Sequence, residues 1–373
     1  MVRPAARYHG DQAARPGMLD FAVNVRHAAP PPWLQQRLAA RLPDLAAYPT
    51  AADHDAAVAA VAARHSVGAD QVLLLNGGAE GFALLPALRP RRAALIAPSF
   101  TEPEAVLAAA AVPFDHVVLP PPFTLAGAAV PESADLVVVG NPTNPTGVLH
   151  PRDDVLALRR PGRIVVVDEA FADAVADDPV GRSEATREKD PVGRSEATGE
   201  KDPVGRSEAT REMDPPSLAG AGLSDVLVLR SLTKTWSVAG LRVGYAVGDP
   251  DVLARLALRR PHWPLGTLQL EAIAACCSPE ALAEARGGAR ELAELRAGMV
   301  AALRGLGLEV VEGCAPFVLF AVPDGALMRK RLAANGIAVR RCDTFVGLGE
   351  NHLRAAVRPD WPALVAAIDE ALA

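Results

Sequence analysis

Lys234 stands in the stretch R-S-L-T-K-T-W-S-V-A-G-L-R-V-G-Y, residues 230 to 245, with hydroxyls at Ser231 and Thr233 and a guanidinium eight residues on at Arg242. An amine set between hydroxyls and an arginine is suited to trapping a carbonyl beside an anion site. A lysine on its own is most often a solvated surface residue, so its company decides. Upstream, the apolar run 136–139 leads into Gly140 and N-P-T-N-P-T-G, residues 141 to 147. A second run, 163–167, ends in Asp168-Glu169-Ala170-Phe171.

These residues need elements that bring them together. The runs at 136–139, 163–167 and 226–229 are short, β-branched and bounded by turn or charged residues, as expected of strands buried in a parallel sheet. In such sheets functional groups gather beyond the carboxyl ends of the strands, which sets Asn144, Asp168 and Lys234 along one rim. Another run, 73–75, is followed by Asn76-Gly77-Gly78-Ala79-Glu80 and an Ala/Leu-rich helical stretch. Glycines at a strand-to-helix turn expose backbone N–H groups, and a helix N-terminus favours an anion. The run 93–96 leads into A-P-S-F, residues 97 to 100. Gly240 and Gly244 are expected to let the chain turn tightly around Arg242.

With N-P-T-G, D-E-A-F and S-x-T-K-x-x-x-x-x-G-x-R in this order, the chain resembles the fold-type I pyridoxal-phosphate enzymes of the class I/II aminotransferase group. Within them it resembles the branch of histidinol-phosphate aminotransferases and threonine-phosphate decarboxylases. The resemblance implies that Lys234 forms a Schiff base with pyridoxal 5'-phosphate and then shuttles protons at the substrate Cα. It implies that Asp168 keeps the pyridine nitrogen protonated, and that Asn144 donates to the phenolic oxygen. Gly78, Ala79, Ser231, Thr233 and Arg242 match the family's phosphate contacts, where arginine's planar fork can engage two oxygens. Phe100, by composition a core residue, matches the aromatic that stacks on the cofactor ring. Tyr48, in Tyr48-Pro49, matches a tyrosine that reaches the phosphate of a neighbouring subunit, which implies a homodimer. Phe171 replaces a tyrosine found in many transaminases and cannot donate a hydrogen bond; the same change is familiar from the decarboxylase branch.

Substrate contacts fall at both ends of the chain. Arg354, in H-L-R-A-A-V-R, matches the arginine that clamps a substrate carboxylate, and Arg358 is a second anion candidate. His9 and Asn24 match the decarboxylase branch, whose histidine helps hold the substrate phosphate. After Asn24 the chain departs from the family: V-R-H-A-A-P stands where x-N-P-L-G-P is usual. Arg26 and His27 could bind phosphate or be solvated loop residues, and both readings stay open.

The 373 residues exceed a typical single domain, and half of them are hydrophobic. The expected fold is α/β: a large cofactor domain with a mostly parallel sheet covered by helices, and a smaller α+β domain drawn from both chain ends. Residues 1–45 and 266–373 form the small domain, and 46–265 the large one. Inside the latter, 178–213 carries three copies of a 12-residue unit, D-P-V-G-R-S-E-A-T-R-E-K and variants. Rich in charge, Pro and Gly, this insertion is expected to be solvated and disordered. A net charge of −6 and the absence of a basic tract argue against nucleic acid or a membrane surface as partner. No apolar run approaches membrane-spanning length. The four cysteines, two of them adjacent at Cys276-Cys277, form no C-x-x-C pair and predict neither a zinc site nor a disulfide framework. A cytoplasmic enzyme is expected. The predicted reaction is transamination of a phosphorylated amino substrate such as L-histidinol phosphate, with 2-oxoglutarate or glutamate as counterpart. The alternative is decarboxylation of L-threonine phosphate towards a cobalamin side chain. A catalytically silent relative should lack Lys234 or Asp168, and both are present.

Overall fold

The apolar runs assemble into one seven-stranded sheet in the computed structural model, which describes residues 13–176 and 217–373. Across the sheet the order is Val72–Leu75, Gly244–Val247, Val226–Ser231, Ile164–Asp168, Leu136–Gly140, Ala93–Ala97 and Phe114–Val118. All neighbours are parallel except around Gly244–Val247, which runs antiparallel to both of its partners. Leu136–Gly140 and Ala93–Ala97 are buried along their whole length, so they are apolar without alternation. Gly140 lies opposite Asp168, and Asp168 opposite Leu229. Three strands therefore end nearly level, and Asn144, Asp168 and Ser231 emerge at one edge.

Two of these strands carry no signal strong enough to find in the sequence. Phe114–Val118 is a half-buried edge strand holding Asp115 and His116. Gly244–Val247 begins at a glycine that reads as a turn residue. Neither Gly240 nor Gly244 takes a positive φ; Arg242 itself does, at 61°. The sequence expectation is corrected accordingly. Gly244 is required for close approach, since a Cβ there would sit 2.6 Å from the Arg230 carbonyl oxygen and 3.1 Å from the Gly78 amide nitrogen.

Helices cover the sheet. Ala51–His65 starts at a capping box in which the Asp53 N–H donates to Thr50 Oγ1 (3.1 Å) and the Thr50 N–H to Asp53 Oδ2 (3.3 Å). Thr267–Cys276, which also escapes sequence reading, packs with Ala51–His65 through Leu270 and Ile273 against Val58 and Val61. The long helix Pro279–Gly305 begins at Ser278, whose Oγ accepts from the Ala281 N–H, with Pro279 in the first turn where its missing N–H costs nothing.

A second core gathers Phe21, Met299, Phe320, Leu353 and Leu364. Its sheet pairs Phe317–Ala321 and Arg340–Arg341 antiparallel to His352–Ala356. Leu19–Asp20 pairs parallel with Ile337–Ala338, which ties the N-terminal segment to the C-terminal unit. Core membership changes hands between Phe21 and Leu34, and again within Pro279–Gly305, between Ala285 and Leu292. Beside this sheet Val310 forms a single bridge to Phe320. The repeats at 178–213 and His9 lie outside the described residues. Among the described residues no helix is long and apolar enough to cross a membrane.

Phe320 is fully buried in the second core. Phe320→Ala should cost about 3–5 kcal/mol of folding free energy, read as a lower urea midpoint for the C-terminal unit; an unchanged midpoint would contradict this packing.

Candidate functional site

A cavity of about 480 Å³ opens where the level strand ends of the large sheet face the second unit. Lys234, Asp168, Asn144, Phe100, Arg242 and Arg354 all line it, as do Gly78, Ala79, Ser231, Thr233 and Asn24. The rim expected from the sequence thus exists, and most of the expected residues meet there.

One corner is built to bind an anion. Gly77 adopts φ 76°, open to glycine, and starts the helix Gly78–Leu84, whose first amides have no intrahelical acceptor. The Arg242 guanidinium lies across Gly77, where a Cβ would come within 2.8 Å of Nη2. Ser231 Oγ and Thr233 Oγ1 are 2.8 Å apart at the same corner. Gln269 fastens the two sides together, donating to Asn76 Oδ1 (2.8 Å) and to the Arg242 carbonyl (2.9 Å). Two hydroxyls, a guanidinium and helix-start amides make a cradle suited to a phosphate group.

Asp168 ends the strand Ile164–Asp168 and accepts one hydrogen bond, from the Ala170 N–H at 3.1 Å. Burial raises its pKa to about 6, and the neighbouring Glu169 charge adds to the rise. No cationic side chain among the described residues forms an ion pair with it. A carboxylate so placed needs a cation from a bound group.

Behind it lies a feature the sequence reading did not find. Arg230 Nη1 donates to Glu169 (2.8 Å), while Arg230 Nη2 and Arg64 Nη2 (2.5 Å for the latter) both pair with Asp173. Glu169 also accepts from Ser217 Oγ (2.6 Å) and the Leu218 N–H (2.8 Å). All four charged side chains are nearly sealed from solvent. Two cations and two anions cancel. Although burial opposes its charge, Asp173 is held well below the usual carboxylate range by Arg230 and Arg64. His65, 2.9 Å from the Tyr245 hydroxyl, is pushed to about 2 by burial and the same arginines, so it is neutral. The only signal in sequence was an arginine inside an otherwise apolar strand.

On the opposite wall Arg354 donates to Asn144 Oδ1 (2.5 Å) and to the Ala22 carbonyl (2.7 Å), and lies over the Phe317 ring at 5.1 Å. Burial lowers its pKa to about 10, still cationic at neutral pH. Arg340, also missed, sits directly opposite Arg354 in the antiparallel pairing and reaches the same cavity. It donates to Thr344 Oγ1 (2.9 Å) and lies over the Phe345 ring. Phe100 packs at 6.0 Å from Phe82, and Phe171 meets Phe317 edge-on at 5.0 Å. Asn24 borders the cavity with its Oδ1 buried and, among the described residues, lacking a hydrogen-bond partner.

Two expected residues lie elsewhere. Arg358 does not line the cavity; its Nη2 donates to the carbonyls of Val23 (3.4 Å) and Val25 (3.3 Å), a loop-holding role in place of the anion contact expected. Tyr48 is 71% exposed, stacked on Trp263 at 4.2 Å, and outside the cavity of its own chain. Among the described residues no cluster could hold a metal ion.

The family model for aminotransferase class I and II matches residues 16–363. A histidinol-phosphate aminotransferase of Mycobacterium tuberculosis is 58% identical over 366 residues, covering 98% of this chain and 91% of that protein. A threonine-phosphate decarboxylase of Sinorhizobium sp. is 30% identical over 285 residues, 74% of this chain and 70% of the other. Among solved structures, the histidinol-phosphate aminotransferase of Clostridium acetobutylicum superposes with TM-score 0.76 at 18% identity, covering 94% of this chain and 98% of that one. The L-threonine-O-3-phosphate decarboxylase of Porphyromonas gingivalis gives 0.73 at 22%, covering 94% and 97%. At those identities the two structures speak to the fold alone.

The raised pKa of Asp168 has a thermodynamic consequence. The folded chain holds that proton more tightly than the unfolded chain, so stability falls as pH rises from about 4 to about 6. In protein stripped of bound groups, Asp168→Asn should therefore stabilise at pH 7, by up to about 3 kcal/mol, and change little at pH 4. Thermal melts of the two proteins at both pH values check this; a gain that is equal at both pH values would refute it.

Proposed function

Because the chain belongs to the class I and II aminotransferases, and is thereby a transferase, we propose that its cofactor is pyridoxal 5'-phosphate and its amino donor a phosphorylated compound of the L-histidinol phosphate type. The cavity supports this reading residue by residue. Gly78, Ala79, Ser231, Thr233 and Arg242 would hold the cofactor phosphate. The buried, cation-seeking Asp168 would take the protonated ring nitrogen, Asn144 the phenolic oxygen, and Phe100 a ring face. Lys234 would hold the group covalently through its amine. When bound, such a cofactor withdraws electrons from the bonds at the substrate Cα.

The chain's own residues do the rest. The Lys234 amine, once displaced by the substrate's own amine, would be free to take the proton from the substrate Cα and hold it on its nitrogen. Asp168 keeps a positive charge at the far end of the site, and the neutral ion cluster behind it holds the turn that carries it. Arg354 binds the carboxylate of 2-oxoglutarate or glutamate in a planar two-point contact. The observation that carries the substrate assignment is the pair Arg340 and Arg354, two buried guanidiniums on adjacent strands facing one cavity. Such a pair suits substrates with an anionic group distant from the amine, a phosphate in one half-reaction and a second carboxylate in the other. The 58% identity to a histidinol-phosphate aminotransferase supports the same choice.

Decarboxylation of L-threonine phosphate is the second reading. It is favoured by Phe171, which offers no hydroxyl to the cofactor, and by the 30% identity to a threonine-phosphate decarboxylase. The exposed Tyr48–Trp263 stack, with Leu42 and Leu45 nearby in sequence and also exposed, supports a homodimer in which Tyr48 reaches the partner's site. Four free cysteines accord with a reducing, cytoplasmic location.

Two experiments test this. In an incubation without acceptor, L-histidinol phosphate should shift the visible absorbance to the amine form of the cofactor without releasing carbon dioxide. Sustained carbon dioxide release from L-threonine phosphate, with the absorbance retained, would move the assignment to the second reading. Lys234→Ala should lose both the visible absorbance and all turnover, and Arg340→Ala should raise KM for the phosphorylated donor by about tenfold or more, as loss of a charge-assisted contact implies. An unchanged KM would remove Arg340 from the substrate site.

A further inference from the structure

The segment after Asn24 departs from the family pattern, and the structure gives that departure a purpose. Arg26 Nη2 pairs with Glu291 of the long helix at 2.9 Å, and the Arg26 side chain is only 15% exposed although Glu291 is 72% exposed. The burial comes from Gly288. A Cβ at position 288 would fall 1.6 Å from Arg26 Nη1 and 2.0 Å from Cζ, so the guanidinium occupies the space any other side chain would take. Gly287, its neighbour, has nothing within 4 Å of an added Cβ. Seven residues before Glu291, Glu284 accepts from Trp33 Nε1 at 2.8 Å. Positions 284, 288 and 291 share one helix face, so the N-terminal segment is fastened to that face on both sides of its turn.

The same segment is fastened to the site. The Arg26 N–H donates to the Lys234 carbonyl (3.2 Å), and the His27 N–H to Ser237 Oγ (2.9 Å). Its carbonyls at Ala22, Val23 and Val25 accept from Arg354 and Arg358. Asn24, at its centre, lines the cavity. Arg26, Asn24 and Lys234 also border one small cavity of about 20 Å³ beside the main one.

We infer that Arg26 is a positioning residue, a pin seated in the slot left by Gly288, which fixes the segment that carries Asn24 and braces the Lys234 turn at the substrate side of the cavity. The inference rests on the reading of that cavity as the substrate site. An exposed ion pair alone would contribute little; the slot is what makes the contact specific. Glycine within a helix is otherwise unfavourable relative to alanine, so Gly288→Ala should help the helix while evicting the pin. Any loss of function from it then comes from the displaced arginine.

The test is a double-mutant cycle on the cofactor-loaded enzyme, with L-histidinol phosphate as donor. Arg26→Ala and Gly288→Ala should each raise KM by about tenfold with kcat and absorbance little changed, since misplacement of a binding group weakens capture of substrate. The double variant should match either single one, because both remove the same contact. Gly287→Ala should behave as the wild type. Multiplying effects, or no KM change in Gly288→Ala, would overturn the pin. Amide hydrogen exchange at Val25, Arg26 and His27 supplies a readout independent of turnover. It should quicken in Gly288→Ala and stay unchanged in Gly287→Ala; equal exchange in the two overturns the inference. If the wild type turns over no amino donor, the functional reading fails, and exchange still decides the pin.

Discussion

Two arginines and two carboxylates buried together behind the Asp168 turn are the constraint on which the site depends. Arg230 and Arg64 neutralise Glu169 and Asp173 with almost no solvent present. Removing any one of them would leave the buried cluster with a net charge, a cost of several kcal/mol. The cluster joins three chain segments, adding side-chain charge to the backbone pairing that already aligns two of them. These are the helix Ala51–His65, the loop after Ile164–Asp168 and the strand Val226–Ser231. Because Glu169 follows Asp168 directly, fixing one carboxylate fixes the backbone of the other. One adjacent pair of acids thus serves two ends: Glu169 is satisfied on the inner side of the sheet, and Asp168 is left wanting a cation in the cavity.

That division explains what was legible in the sequence. Lys234, Asp168, Asn144 and Arg242 stand next to strands whose apolar runs are short, continuous and bounded, so both their elements and their common edge could be read. The central sheet followed from the same runs. Gly244–Val247 was not legible, because an antiparallel strand that begins at a glycine has no local mark. Phe114–Val118 carries charge and lies at the edge, which blurs its pattern. Arg230 and Arg340 were missed for a shared reason. Each is a charged residue at a buried strand position, where periodicity predicts an apolar side chain, and its justification lies in partners remote in sequence. Arg358 was misplaced because spacing along a strand and the loop after it says nothing of which carbonyls lie within reach. Tyr48 could be carried over from the family only as a residue facing another chain, and within its own chain it faces outward.

The cavity has two walls, each drawn from a different sheet. The phosphate corner, Asp168 and Lys234 all belong to the seven-stranded sheet and its immediate turns, and the fixed strand register keeps their mutual positions. Arg340 and Arg354 belong to the small three-stranded sheet, whose core is separate. The two halves meet through shared apolar clusters, Phe123 and Val148 with Leu319 and Phe345 in one and Phe171 with Phe317 in another, and through polar contacts, among them Arg354 with Asn144 and the N-terminal segment with Lys234. Chemistry common to a family can then stay with the large sheet while substrate choice follows changes in the smaller one.

Arg354 shows how the two walls are linked. One of its terminal nitrogens meets Asn144, on the large sheet's rim, and the other the Ala22 carbonyl, on the N-terminal segment. A carboxylate arriving at this guanidinium competes for donors that now hold those two groups. Its binding would therefore be felt at Asn144 and at the segment that carries Asn24. Burial lowers the proton affinity of Arg354, so an anion brought to it would offset part of that desolvation cost. On the proposed reading of the site, that imbalance would favour anionic substrates: a neutral molecule of equal shape would leave the arginine as costly as before.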